Sequence, residues 1–394
     1  GASDAANVDT VIATASGALG AAIGVVTNVI TTDHSTGVVV TGTSTDKSSL
    51  TGTSVSVDAD AKEGISSLLI AASGAQYAAV SASVNVNRQL SDVSAAVDQT
   101  EVLGSFAQNA NYLGRITTSA ITAAGSQYAA VPISVVINYA DNAVSSSVAH
   151  SILRAEGQSA SVGANRISEF SSLNVTASGA MYGAAAGLVN VNTIEGATSA
   201  EVNDSEVKAG QFSVNAENED HLKVTDVTAT GAIGSLGASV VVSYFKGSSA
   251  ANLRNSIVTA DKLTVSSLQD HYVNGTVAFA SGGIGTIGAN VFSLVIGSRD
   301  NPFASNRQDL GSAEDTVNKY LSDYASSGTG SLGFITENDE LTQEEKDKIV
   351  GSAAAADASV SSGSGNGTSV VVSGNYLTVG SSDVSVKEVP VQEY

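Results

Sequence analysis

The sequence predicts an all-β repeat fold, a solenoid whose successive coils stack along one axis. Three observations carry that reading: a motif that returns at near-constant spacing, apolar/polar alternation between turn-forming residues, and a composition of small and β-branched side chains. The motif is clearest in Ser73-Gly74-Ala75-Gln76-Tyr77-Ala78-Ala79, running on through Val84, Val86 and Asn87. Versions of it start at Gly17, Gly125, Gly179, Gly231 and Gly282, so successive anchor glycines are 57, 51, 54, 52 and 51 residues apart. A period near fifty residues marks a repeat architecture. Zero Cys and Trp, one Met and three Pro leave a chain with few large anchors, suited to a thin core in which small side chains stack in layers.

From Val8 to about Gly297 short alternating stretches are punctuated by Gly, Ser, Asn and Asp, the pattern of strand and turn. Three registers recur. The first is the anchor strand pair, SGAQYAAVSASVNVN from Ser73, AGSQYAAVPISVVIN from Ala124 and SGAMYGAAAGLVNVN from Ser178. The second is a polar strand leading to a turn, as in QTEVLG from Gln99 and DSEVKAG from Asp204. The third is a short alternating strand, as in SVSVDA from Ser54 and LTVSS from Leu263. Each strand should have one inward and one outward face. Val84 with Val86, Val135 with Ile137, and Val189 with Val191 should then form aliphatic ladders. Asn87, Asn138 and Asn192 share one register and are expected to close the strand, stacked amides covering a bend. Tyr77, Tyr128 and Tyr182 share another and predict an aromatic stack, pointing either outward as a recognition strip or inward as filling. The division of each unit into one wide coil or two ordinary ones stays open.

After about Asp300 charges concentrate and alternation stops. Ser312 before Glu314 and Asp315, with Val317, Tyr320, Leu321 and Tyr324 at helical spacing, predicts one helix, and Thr342-Gln343-Glu344-Glu345 is the start of another. SVVVSGNYLTVGSSD from Ser369 then matches SIVTADKLTVSSLQD from Ser256 with one extra residue. The domains expected are a solenoid over 1–299, a charged helical insertion over 300–362 and a return to the solenoid over 363–394.

The glycine-alanine anchor, the Val/Asn strand, the polar strand and the LTV-type strand resemble the repeats of large bacterial exoproteins. These are the filamentous-haemagglutinin-like and leukotoxin-like proteins exported by two-partner secretion. The resemblance rests on SGAQYAAVSASVNVN, SGAMYGAAAGLVNVN, DSEVKAGQFSVNAE and NSIVTADKLTVSS and covers about Val8 to Gly297 and Ser369 to Val386. It implies a right-handed parallel β-helix (β-solenoid), secreted or displayed on the bacterial cell surface, that contacts a protein or glycan on a host or other cell. The helical insertion and the lack of a recognisable secretion domain depart from the family.

Charge limits the partners. With 38 acidic and 17 basic residues the net charge is -21, which repels phosphate backbones and argues against nucleic acid. No apolar run reaches the length of a membrane-spanning helix, so the chain is not expected to span a membrane. An outer-membrane β-barrel, suggested by Ala238 to Phe245, is disfavoured by an aromatic content of 5% with no girdle spacing. The chain begins at Gly1 without Met or a leader, which reads as an internal or processed fragment.

No catalytic constellation recurs, and the expectation is a non-enzymatic adhesive segment. The carboxylate clusters, Asp58 with Asp60, Glu217 with Glu219 and Asp220, and Glu337 with Asp339 and Glu340, read as solvated turns; Ca²⁺ is the candidate ligand, and a β-helical polysaccharide lyase or glycosidase the alternative. Asp220-His221 and Asp270-His271 could meet in successive coils as a two-His, two-Asp metal site, against a plain turn reading.

Overall fold

The computed structural model describes residues 1–283, 285–296, 368–373 and 376–393. Each repeat is a single wide coil made of two long strands. Strands β1 (Ala2–Ala18), β3 (Ser48–Ala75), β5 (Thr100–Ser126), β7 (Ile152–Ala180), β9 (Glu206–Gly231), β11 (Ile257–Gly282) and β14 (Tyr376–Glu393) form one parallel sheet in that order. Strands β2 (Ala21–Thr41), β4 (Ala78–Asp98), β6 (Ala129–Ala149), β8 (Gly183–Asn203), β10 (Gly234–Arg254) and β12 (Gly285–Ile296) form the other, and β13 (Thr368–Ser373) also pairs with β10. The recurring units therefore lie in file: Gly17, Gly74, Gly125, Gly179, Gly231 and Gly282 share one register.

The short strands read from the sequence are parts of longer ones. The polar and the short alternating registers of a unit belong to a single strand, as EVKAG and FSVNAE both do to β9, because glycines inside these strands make bulges rather than turns. Gly104, at φ 121°, and Gly157, at φ 69°, mark a register shift between neighbouring strands. The variable period has the same local origin. Residues 42–47 form a six-residue loop in the first coil, where the next coil makes the turn with Gln99 alone.

Two kinds of turn close the coil. At one end the motif Gln76-Tyr77 and its copies join the sheets, with bonds running from coil to coil, as from Gln127 N to Gln76 O at 3.0 Å. At the other end Gln99, His150, Asp204 and Asn255 each adopt a left-handed conformation with φ of 47–50°. Gln, His, Asp and Asn at these sites tolerate that region better than β-branched residues would.

Packing between the sheets changes along the strands. Toward the left-handed turns the interior is aliphatic, with Val57, Val97, Val102, Phe106, Leu153 and Val207 in one cluster. Toward the tyrosine turns it is rich in hydroxyls and amides. Asn87, Asn138 and Asn192 stack there as a ladder, Nδ2 to Oδ1 at 2.9 Å in both steps. They lie inside β4, β6 and β8 and are buried, so they do not end the strand as expected. Val84, Val135 and Val189 do stack, but on the outer face.

The C-terminal return differs in register from the sequence match. Leu377 pairs with Val258 and Val384 with Val265, whereas the LTV match would have set Leu377 on Leu263. β12 pairs with 234–245 of β10 and β13 with 249–254 of the same strand. The helices expected over 312–324 and 342–356 lie outside the described residues.

Candidate functional site: a tyrosine edge, an outer groove and a buried polar node

Tyr77, Tyr128 and Tyr182 occupy the tight turns and point outward, 55%, 44% and 52% exposed. Their rings stack with centroids 5.4 and 5.2 Å apart and interplanar angles of 16° and 18°. The turn backbone sets that spacing, since Ala129 N bonds Tyr77 O and Gly183 N bonds Tyr128 O. The coil before puts Gly20 at this register and the coil after, with a turn one residue shorter, puts Ile233 there, so the strip is three rings long. Beside it runs a groove of about 610 Å³ floored by Gly125, Gly179, Gly231 and Gly282 and by Ala72, Ala123, Ala177, Ala229 and Ala280. A Cβ at Gly74, Gly125, Gly179, Gly231 or Gly282 would meet nothing within 4 Å, so it is the missing side chains that keep this floor flat.

A second groove, of about 750 Å³, lies on the outer face of the β5–β11 sheet. Arg115, Glu169, His221 and Tyr272 share one register across it. Arg115 Nε donates to Glu169 Oε2 at 2.7 Å, and the His221 and Tyr272 rings stack at 4.5 Å. Lys223 lines the same groove. This row brings a cation, an anion and two rings onto one face, a surface suited to holding a polar ligand. Sequence reading missed it because its members have different chemistries and only the register unites them.

The four residues considered for a metal site divide between inside and outside. Asp220 pairs with His271, and His221 with Tyr272, one residue out from the expected match. Asp220 and His271 face the interior, 3.2 Å apart, while His221 faces solvent beside Glu219. Asp270 accepts from Tyr272 Oη at 2.7 Å. Among the described residues no three or more His, Asp or Glu side chains gather as a metal-binding group. Asp58 and Asp60 are held by Asn109 and Asn111 of the next coil, both at 2.8 Å.

The interior pair belongs to a buried node. Arg166, fully buried, donates Nη2 to Asp220 Oδ1 at 3.0 Å, Nε to Asn218 Oδ1 at 2.8 Å and Nη1 to Glu195 O at 2.5 Å. Gly196 and Gly247 on the facing sheet make its room: a Cβ there would stand 2.9 and 2.6 Å from guanidinium nitrogens. Burial pushes the Asp220 carboxyl up, but Arg166, His271 and Asn218 outweigh it and hold the group below its ordinary value. A buried pair of this kind is costly to break, because removing one partner leaves the other charge buried without compensation. The node reads as architecture.

Taken together, fold and surfaces define a parallel β-solenoid with stacked side-chain files rather than a cleft. No protein-family model, curated protein or solved structure matches the chain.

Proposed function

We propose that the chain is an extracellular, non-enzymatic segment of a larger bacterial surface protein, holding a surface for attachment to another cell. The exposed Tyr77–Tyr128–Tyr182 stack carries this reading. Three parallel rings at a fixed spacing offer flat apolar area with polar hydroxyl tips, the chemistry that recognition surfaces favour. The reactive groups give less support to a carbohydrate-active enzyme. Asp58 and Asp60 are tied to asparagines and Asp220 is ion-paired inside. Where acids share a register in neighbouring coils, Asp141 with Glu195 and Asp270 with Glu219, Glu195 is bonded to Lys246 and Asp270 to Tyr272. The likeness to filamentous-haemagglutinin-like repeats supports the same reading at the level of motif.

The test is cell binding by the full chain and by the triple variant Tyr77→Ala, Tyr128→Ala, Tyr182→Ala. The rings are exposed, so the variant keeps its fold, losing about 0.5–1.5 kcal/mol per stacked pair. Binding should fall at least tenfold with the melting temperature little changed. Undiminished binding would remove the tyrosine edge from the attachment surface.

A further inference from the structure

We propose that the tyrosine-turn end of the slab enters the hydrocarbon layer of a lipid bilayer, so that the attachment proposed above is made to phospholipid. Four observations converge on this end.

The first is the distribution of charge. Residues 10–32, 64–87, 116–140, 170–194, 227–245 and 272–298 contain no Asp, Glu, Lys, Arg or His. Over their described residues these segments run in along one sheet, through the tight turn, and back along the other. On the outer face the apolar rows run from Ala78 to Val86, a depth of about 26 Å at 3.3 Å per residue. That is close to the roughly 30 Å thickness of a bilayer's hydrocarbon core.

The second is an inverted polarity. Ser81, Ser83, Asn85 and Asn87 of β4 are buried, as are Thr118 and Thr122 of β5 opposite. They bond to one another across the interior, for example Ser83 to Thr122 at 2.6 Å and Asn87 to Thr118 at 2.9 Å. The alternate residues, Val84 and Val86 with Val135, Ile137, Val189 and Val191 beside them, face out. Ile70, Ile121, Val175 and Val227 do the same on the other sheet. Of the large apolar side chains exposed among the described residues, all but Val39 and Ile257 fall within the charge-free segments. Polar inside and apolar outside is the arrangement that strands adopt against lipid.

The third is backbone satisfaction at the tip. Ala129, Gly183 and Gly234 donate their N–H groups to the carbonyls of Tyr77, Tyr128 and Tyr182 of the preceding coil. Turns in hydrocarbon must satisfy their own polar groups, and these do so from coil to coil. Within the stack every inner strand is paired on both sides, leaving open edges only at its two ends.

The fourth is the border. Where the charge-free zone ends, Arg88 lies 5.6 Å over the ring of Tyr139 and Lys246 lies 5.5 Å from that of Tyr244 on one sheet. Arg115, His221 and Tyr272 hold the corresponding place on the other. Aromatic and basic residues at that level form an interfacial belt. Sequence spacing gave no sign of it, because the belt is assembled by stacking. The net charge of -21 favours neutral over anionic headgroups.

The experiment uses the full chain and phosphatidylcholine vesicles, with flotation as the readout. The chain has no Trp, so Met181→Trp at the tip and Val39→Trp in the charged half serve as single reporters. The tip reporter should shift to the blue and be quenched by acyl-brominated lipid, and the other should do neither. Val135→Asp with Val189→Asp, on the outer face, should keep the melting temperature within a few degrees and cut vesicle binding at least tenfold. Absence of flotation, equal quenching of both reporters, equal flotation of the double variant, or a concentration-dependent dimer that ignores vesicles would each overturn the proposal. Cell binding through the tyrosines by a protein that ignores vesicles would overturn the lipid inference alone and leave the attachment reading standing.

Discussion

Asp226 sits where the interior has least use for a charge. It accepts from Asn174 Nδ2 at 2.7 Å and from Asn190 Nδ2 at 3.2 Å, and no cation offsets it. Burial raises its carboxyl from 3.8 to about 6, with both asparagines pulling the other way. A proton on Asp226 could donate to the Oδ1 of Asn174 or Asn190, both unpartnered. Because the folded value lies above the unfolded one, the group favours folding fully below about pH 4, and that advantage is lost as pH rises through about 6. The difference of about two pKa units corresponds to about 3 kcal/mol. Asp226→Asn supplies the missing N–H without a charge. Urea denaturation at pH 7 should therefore show the variant more stable than the parent by up to about 3 kcal/mol, the gap closing by pH 4. A variant less stable at pH 7 would show that the carboxylate is needed in its ionised form.

Strands and turns were legible in the sequence to different degrees. The stacking of coils was readable because Gly74, Gly125 and Gly179, or Tyr77, Tyr128 and Tyr182, stand at one register and recur by type. Strand length was not, because Gly104 and Gly157 look like turn residues yet sit in bulges inside β5 and β7. Asn87 looked like a strand end because asparagine favours turns, and only its partners, Thr118 on the facing sheet and Asn138 in the next strand of its own sheet, explain its burial. The register of Asp220 against His271 shows the limit again. Both stand eleven residues before their glycine, but the repeated Asp-His pair suggested an alignment one residue away. A slip of one reverses inside and outside, which is why the metal set came apart. The left-handed turns are the elements most open to test. Gln99 has φ of 49°, a region that glycine enters freely and β-branched residues resist. Chemical denaturation should place Gln99→Gly within about 1 kcal/mol of the parent and Gln99→Val about 2 kcal/mol below it. Equal stability of the two variants would mean that the turn relaxes to another conformation.

At the scale of the molecule the described coils make a slab rather than a rod. Strands of 21 to 29 residues span roughly 70–95 Å, while seven strands at 4.8 Å stack to roughly 30 Å. One end of the slab is charged outside and aliphatic inside; the other is charge-free outside and rich in hydroxyls and amides inside. The proposed attachment, the proposed lipid entry and the expected pH response of Asp226 all rest on that division, and the division depends on one coil per repeat. Cysteine cross-linking tests this most directly, since the chain has no cysteine of its own. With one coil per repeat, Gln76 lies beside Gln127, whose N–H bonds the Gln76 carbonyl at 3.0 Å. With two, residue 76 would lie near residue 103. Oxidation of Gln76→Cys with Gln127→Cys should close a disulfide rapidly in the folded protein, while Gln76→Cys with Leu103→Cys should not. The opposite outcome, a bridge from 76 to 103 and none from 76 to 127, would contradict the wide coil and the two-ended slab built on it.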